Sequence, residues 1–217
     1  MGADRYYVYG AGGHAHVVID VLHDQGIAVE GIFDDWPERR HPGHHGVEPG
    51  IRLAGNERFP ILDLPVILCV GRNAERAELA HMLSASFGIA CHSTAIIAET
   101  VAIGQGSVVL HGAIIQTNTI LGRHVLVNTA ASIDHDNVIG DYAHISPHVT
   151  LCGHVEVGEG THIGAGAVVI PKVKIGKWST VGAGTVVLHD IPDHVTVVGN
   201  PARLVTGSHG QHLPVYR

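Results

Sequence analysis

Residues 108–140 read "VVLHGAIIQTNTILGRHVLVNTAASIDHDNVIG", and every sixth residue counted from Val109 is aliphatic: Val109, Ile115, Leu121, Val127, Ile133, Ile139. Extended in both directions, the same column runs from Ile97 to Val187 through sixteen positions, all β-branched or Leu. An amphipathic helix would repeat about every 3.6 residues and a half-buried strand about every 2. A sustained period of six belongs to a parallel β-helix of hexapeptides, each supplying one short strand and one corner. Four residues after each aliphatic position stands a small or β-branched residue, and Asn137 is the one clear break in that second column. Gly104, Gly122, Gly140, Gly158 and Gly176 follow at intervals of eighteen, so three hexads close one coil. These glycines are expected to sit at corners and to take positive φ.

Working back towards the start, the pattern changes. "YYVYG" (6–10) reads as a buried strand, "AGGHAHVVIDVLHDQG" (11–26) as a turn and helix, and "AVEGIFDD" (28–35) as a second strand with an acidic end. "LPVILCVG" (64–71) is a third strand and "NAERAELAHMLSASFG" (73–88) a second helix. Alternating strands and helices imply parallel pairing. The division expected is an α/β domain over 1–90 and a β-helix with a closing segment over 91–217. Ligands of open α/β sheets lie beyond the carboxyl ends of the strands. That edge holds Gly10, Gly12, Gly13 and His14, then Asp34 and Asp35, then Gly71, Arg72 and Asn73. A glycine turn opening a helix presents backbone N–H groups and a positive helix end to phosphate. Read as a dinucleotide fingerprint it gives Gly10, Gly12 and Ala15, yet only some ninety residues precede the repeat, which disfavours an oxidoreductase.

Composition narrows the function classes. Formal net charge is −7 with His neutral and no Lys/Arg run occurs, so nucleic-acid binding is not expected. Cys69, Cys91 and Cys152 lack metal-ligand spacing, and their odd number argues against a disulfide framework. With no apolar span of membrane length and no signal pattern, a soluble cytoplasmic protein without membrane contact is expected.

"GAGGHA" and "GIFDD", followed by hexads containing "NTAASIDHDNVIGDYAHISPHVTLCGHVEVGEGTHIGAGAVV" and then "VVGNPAR", resemble the sialic-acid O-acetyltransferase type and the nucleotide-amino-sugar N-acetyltransferases, hexapeptide-repeat enzymes with an N-terminal nucleotide-sugar-binding domain. The resemblance implies a left-handed β-helix, a homotrimer with sites between subunits, acetyl-CoA as donor, and a nucleotide sugar on the glycine-turn domain, held by Gly12, Gly13, His14, Asp34, Asp35, Gly71, Arg72 and Asn73. It also implies that His135 is the catalytic base, Asp136 the acidic residue that tunes it, and His144 a second His near the thioester. The donor is expected along Asn128, His144, Gly153, Lys172, Lys174 and Pro201, with Lys177 nearby.

These residue types suit acyl transfer. Imidazole titrates near neutrality and can take the proton of an attacking amine, while a carboxylate on its other nitrogen, Asp136 or alternatively Asp134, fixes the tautomer. The acceptor expected is the amine of a nucleotide-linked 4-amino-4,6-dideoxy sugar; a hydroxyl of a sialic acid or polysaccharide, or a silent β-helix that senses sugar nucleotides, are the alternatives. No acyl-enzyme is expected, Cys152 lacking a partner base. His144 and His162, eighteen apart, should stack on neighbouring coils; stacked imidazoles invite a zinc site of the gamma-class carbonic anhydrase kind as the lesser alternative, and no metal is expected. His124, His148, His154 and Trp178 are expected on the solvated surface.

Overall fold

The computed structural model describes residues 4–34 and 63–205. Asp35 falls outside the described residues. Three parallel strands, β1 (Arg5–Tyr9), β2 (Ala28–Phe33) and β3 (Val66–Leu68), form a sheet in the order β2-β1-β3, with helices α1 (Gly13–Asp24) and α2 (Asn73–Met82) after β1 and β3. From β4 (Ala90–Cys91) to β20 (Val186–Val187) the chain is a left-handed parallel β-helix of two-residue strands, closed by β21 (Thr196–Val198) and β22 (Arg203–Leu204). From β4 to β17 each strand pairs in parallel with the one eighteen residues on, as Leu126 with His144, Ser132 with Thr150 and Val138 with Glu156, and the last coil shortens to sixteen, Thr180 pairing with Thr196.

The second residue of each strand points into the prism. Ile115, Leu121, Val127, Ile133, Ile139, Ile145, Leu151, Ile163, Val169 and Val181 are all buried in one core cluster. Fully burying such a side chain contributes roughly 1.5–3 kcal/mol, so the six-residue period is the core written out in sequence. The first residue of each strand faces outwards, and three faces follow in order around each coil. The first carries Ala90, Val108, Leu126, His144 and His162, the second Ile96, Ile114, Ser132 and Thr150, the third Ile120, Val138, Glu156 and Lys174.

The glycine column has a different cause from the one expected. Gly104, Gly122, Gly140, Gly158 and Gly176 do not take positive φ; instead the backbone of the next coil lies where their Cβ would be, Glu159 N at 2.6 Å for Gly140 and Gly176 C at 2.6 Å for Gly158. Positive φ falls on another column, which recurs every six residues from Gly106 to Gly184 and includes Asn118, His124, Ala130, Asp136, Tyr142, His148, His154, Lys172 and Trp178. Asn, Asp and His tolerate the left-handed region better than most side chains, and three of the many histidines stand there. The break at Asn137 is an interior rung. The Asn137 amide donates to Asp134 O (2.7 Å) and Cys152 O (3.0 Å) and accepts from Val155 N (3.1 Å), so it is buried and satisfied directly beneath the corner that carries His135.

The α/β domain rides on the first face. Val18, Val21 and Leu22 of α1 share a buried cluster with Ala90, Val108, Leu110 and Leu126. The start of α2 is fixed to one corner column: Asn73 Nδ2 donates to Gly160 O, and the wholly buried Arg76 donates to His124 O, Tyr142 O and Val70 O. Those corners lie between the third face and the first. No helix among the described residues is long and apolar enough to cross a membrane.

Candidate active site

His135 stands on the corner between the second and third faces, outside the prism, its side chain 45% exposed. Its Nδ1 is 2.7 Å from Asp136 Oδ2, and its backbone N–H donates to Asp134 Oδ1 at 2.9 Å. Of the two flanking carboxylates, Asp136 is therefore the one on the ring, and Asp134 braces the backbone. Asp136 reaches back over the ring because it occupies the left-handed corner position, φ 57°, and Asn118 Nδ2 steadies its other oxygen at 3.1 Å. The bond to Asp136 raises the His135 pKa above its ordinary value, and the same bond lowers that of Asp136.

Gly153, one coil further along the same corner, makes room for this ring. A Cβ there would lie 2.7 Å from both Cε1 and Nε2 of His135. Lys172 follows on the next coil, its N–H donating to Gly153 O at 3.0 Å. His135, Gly153 and Lys172 thus form one ridge. Lys174 lies on the third face and is paired with Glu156 at 2.9 Å, while Lys177 is 4.0 Å from Glu159. Pro201 lies just past β21, after the cis Asn200–Pro201 bond.

A second group gathers on the first face, next to the glycine turn. The rings of His144 and His162 stack with centroids 4.8 Å apart and an interplanar angle of 14°. Asn128 Nδ2 is 3.3 Å from His144 Nε2, and Ser146 Oγ is 2.8 Å from His162 Nε2. Burial pushes His144 well below its ordinary pKa, with the charge of Arg76 and the neighbouring His162 and His14 acting in the same direction; His162 is lowered too. These are neutral rings at physiological pH. His14, at the start of α1, is pushed down to about 4 by burial and by Arg76, and its Nε2 is buried without a hydrogen-bond partner among the described residues.

The glycine turn itself is open on its outer side. Gly10 takes φ +108° with Cys69 O against it, but a Cβ on Gly12 or Gly13 would meet nothing within 4 Å. Asp34 Oδ2 accepts from Ala11 N at 2.6 Å, so at least one of its oxygens braces the turn. Gly71 and Arg72 are exposed at the same sheet edge, with Arg72 paired to Glu75 at 2.7 Å.

The residues expected at the site therefore form two groups. The glycine turn, His14, Asn128 and His144 lie on the first face, whereas His135, Asp136, Gly153 and Lys172 occupy the corner opposite that face. Sequence reasoning missed Arg76, Asn118, Ser146 and the role of His154, whose Nε2 is 3.7 Å from Asp136. Two surface expectations are corrected. His124 is buried, 3% exposed, between Phe87 and Tyr142 (centroids 4.4 and 5.3 Å), because α2 covers its corner. Trp178 lies half-buried over Gly160, where a Cβ would strike its ring.

The buried imidazoles set an acid limit. Unfolded His takes up a proton near 6.5, whereas His14 and His124 resist until about 4 in the folded chain. Between those values the unfolded state binds more protons, so stability is intact above about pH 6.5 and is lost as pH falls towards 4. Melting temperature followed from pH 7.5 to 4.5 should fall steadily through that window; a flat profile would contradict these burial assignments.

The chain matches a family model described as the PglD N-terminal domain over residues 5–83 and the bacterial transferase hexapeptide model over 138–170 and 154–189. Among solved structures it is similar to PerB from Caulobacter crescentus in complex with CoA and GDP-perosamine, with 33% identity, a TM-score of 0.82, and coverage of 95% of this chain and 98% of that one. It is also similar to the acetyltransferase domain of PglB from Neisseria gonorrhoeae in complex with acetyl coenzyme A (34%, TM-score 0.79, 94% and 100%). WeeI from Acinetobacter baumannii is a further neighbour (26%, TM-score 0.80, 92% and 99%). Two more structures of the Caulobacter enzyme, described as a perosamine N-acetyltransferase, carry a single histidine replaced by Asn or Ala. No curated protein sequence matches the chain.

Proposed function

The chain belongs to the hexapeptide-repeat acetyltransferases that carry a PglD-type N-terminal domain, and from this we propose that it transfers the acetyl group of acetyl-CoA to the amine of a nucleotide-linked amino sugar. The observation that carries the reading is the His135–Asp136 pair: an exposed imidazole outside the prism, its Nδ1 held by a carboxylate and its Nε2 edge lying against the one glycine that leaves space for it. CoA and GDP-perosamine bound to a relative of nearly the same length support both substrates.

In this reading the glycine turn binds the diphosphate of the sugar nucleotide at the start of α1, through the backbone N–H groups of Gly12 and Gly13 and the helix dipole. Asp136 keeps the proton of His135 on Nδ1, so Nε2 is the free base. Nε2 takes a proton from the substrate nitrogen as that nitrogen forms its bond to the thioester carbon. The C–S bond then breaks, and the sulfur leaves with the proton returned by His135. The ridge from His135 through Gly153 to Lys172 is the proposed track of the donor. Neutral His144, with Asn128, would line the same site from the first face.

Because one chain keeps its glycine-turn domain on the face opposite His135, we assign each site to two copies of the chain, one supplying the His135 corner and the other the first face and its domain. This is the form in which we propose the homotrimer.

Thiol release from acetyl-CoA, measured with nucleotide-linked 4-amino-4,6-dideoxy sugars and with their 4-hydroxy counterparts, tests the reading. The amines should be turned over and the hydroxyls spared; turnover of hydroxyls alone would mean O-acetylation, and turnover of neither a non-catalytic role. Gly12→Asp sharpens the test. Gly12 is the N-cap of α1 with nothing near its Cβ. Asp is a better cap than Gly by a few tenths of a kcal/mol, but its charge would repel a diphosphate. The expected outcome is a melting temperature held or slightly raised, with KM for the sugar nucleotide up by at least about tenfold; unchanged KM would remove the phosphates from this turn.

A further inference from the structure

At the junction between α1 and the first coils lies a group of side chains that acetyl transfer does not use. His92 and His111 stand on neighbouring coils at the corner between the first and second faces, their rings stacked with centroids 3.7 Å apart and planes 29° apart. Facing them are Asp20 and Asp24, one helical turn apart on α1. His111 Nε2 is 3.0 Å from Asp20 Oδ2, and His92 Nε2 is 3.8 Å from Asp24 Oδ1. One ligand atom each from Asp20, His92 and His111 lie within 4.8 Å of one another.

We propose that Asp20, His92 and His111 bind one divalent ion of the zinc class, which fastens the glycine-turn domain to the β-helix. Two imidazoles and a carboxylate are a borderline donor set, suited to zinc or cobalt and poorly suited to magnesium or calcium. Bonds of about 2.0–2.2 Å place the ligands of a tetrahedral ion roughly 3.3 Å apart, so the three atoms need close by only about 1.5 Å at most. The frame around them is already set. Asp24 accepts from Ser93 N at 2.7 Å and Ser93 Oγ at 2.8 Å, and Gln25 Oε1 accepts from Cys91 N at 3.0 Å. His92 Nδ1 accepts from the Thr94 backbone N–H at 3.1 Å and lies 2.8 Å from Thr94 Oγ1, so in the metal-free chain the ring proton sits on Nε2; taking the ion there moves that proton to Nδ1, which then donates to the Thr94 hydroxyl, the outer-shell bond that ligating imidazoles usually make. Asp24 remains beside the site as a second carboxylate.

Two other histidine groups are less suited. His144 and His162 have their Nε2 atoms turned to Asn128 and Ser146. In the group of His135, Asp136 and His154, the first two are the base and orienting carboxylate of the proposed acetyl transfer. That second group serves as the control.

Metal-stripped protein dialysed against zinc should retain one equivalent by elemental analysis, kept by His154→Asn and lost in the double variant Asp20→Asn with His111→Asn. Zinc a hundredfold above Kd should raise the melting temperature of the first two by roughly 5–10 °C and leave the double variant unmoved. Anomalous diffraction at the zinc edge from crystals of the unmodified chain gives a reading that needs no variant, with the ion between His92 and His111. No bound zinc, zinc only at His135 and His154, or an equal melting shift in the double variant would overturn the proposal.

Discussion

Replacing His135 with asparagine is expected to lower kcat by about two to four orders of magnitude, the range for losing a positioned general base, with KM for acetyl-CoA within about threefold and melting temperature unchanged. The side chain lies outside the prism, and its contacts are to Asp136, Gly153 and the edge of His154 rather than to the core. Asparagine fits the space and keeps the corner, but it cannot hold a proton. The pH profile of the unmodified chain carries the same claim. Activity needs the neutral ring, and the bond to Asp136 raises its pKa, so the acid limb of kcat/KM should sit above the ordinary imidazole value and move to lower pH in Asp136→Asn. A His135→Asn variant that retains its turnover would remove the base from the mechanism.

Arg76→Ala is expected to be the most damaging single change to stability, by about 3–5 kcal/mol. The guanidinium is fully buried and donates to Val70 O, His124 O, Tyr142 O and Asn73 Oδ1 at 2.7–3.1 Å. Burial pushes its pKa down to about 9, so it remains charged at neutral pH. Truncation would strand those acceptors and open a cavity between α2 and two successive coils. Arg76→Lys should rescue little, because an ammonium lacks the planar fork that spans both sides of the junction. A chemical denaturation curve would show the loss as a lower midpoint; an unshifted midpoint would mean that the domain is held by the α1 cluster alone.

The β-helix was legible because its interior is one-dimensional: each coil repeats the last, so Ile115, Ile133 and Leu151 announce the core before any contact is known. His135 and Asp136 stood out within a charged triplet interrupting a regular corner, but their roles came from the resemblance and not from the repeat. Arg76 was not legible. It reads as one charge on a short polar helix, and only the docking of α2 on the corners at His124, Tyr142 and Gly160 buries it. His124 was misread as surface because its corner resembles those of His148 and His154, and what differs is the helix above it. The glycine column was found correctly but explained wrongly. Periodicity marks where a side chain is excluded and does not say whether φ or a neighbouring coil excludes it. That His135 and His144 occupy different sides of the prism was implicit in their spacing, since nine residues is half of an eighteen-residue coil.

The central claim is that an imidazole on one copy acts on a sugar held by another, and mixing two impaired variants, assayed with the sugar nucleotide far below the raised KM of Gly12→Asp, tests it directly. His135→Asn lacks the base and Gly12→Asp lacks the phosphate cradle. Unfolded together and refolded in equal amounts, they should regain about a quarter of the unmodified activity, the share of sites that draw an intact corner from one parent and an intact domain from the other. A mixture no more active than its parents would place base and sugar on the same copy and contradict the account.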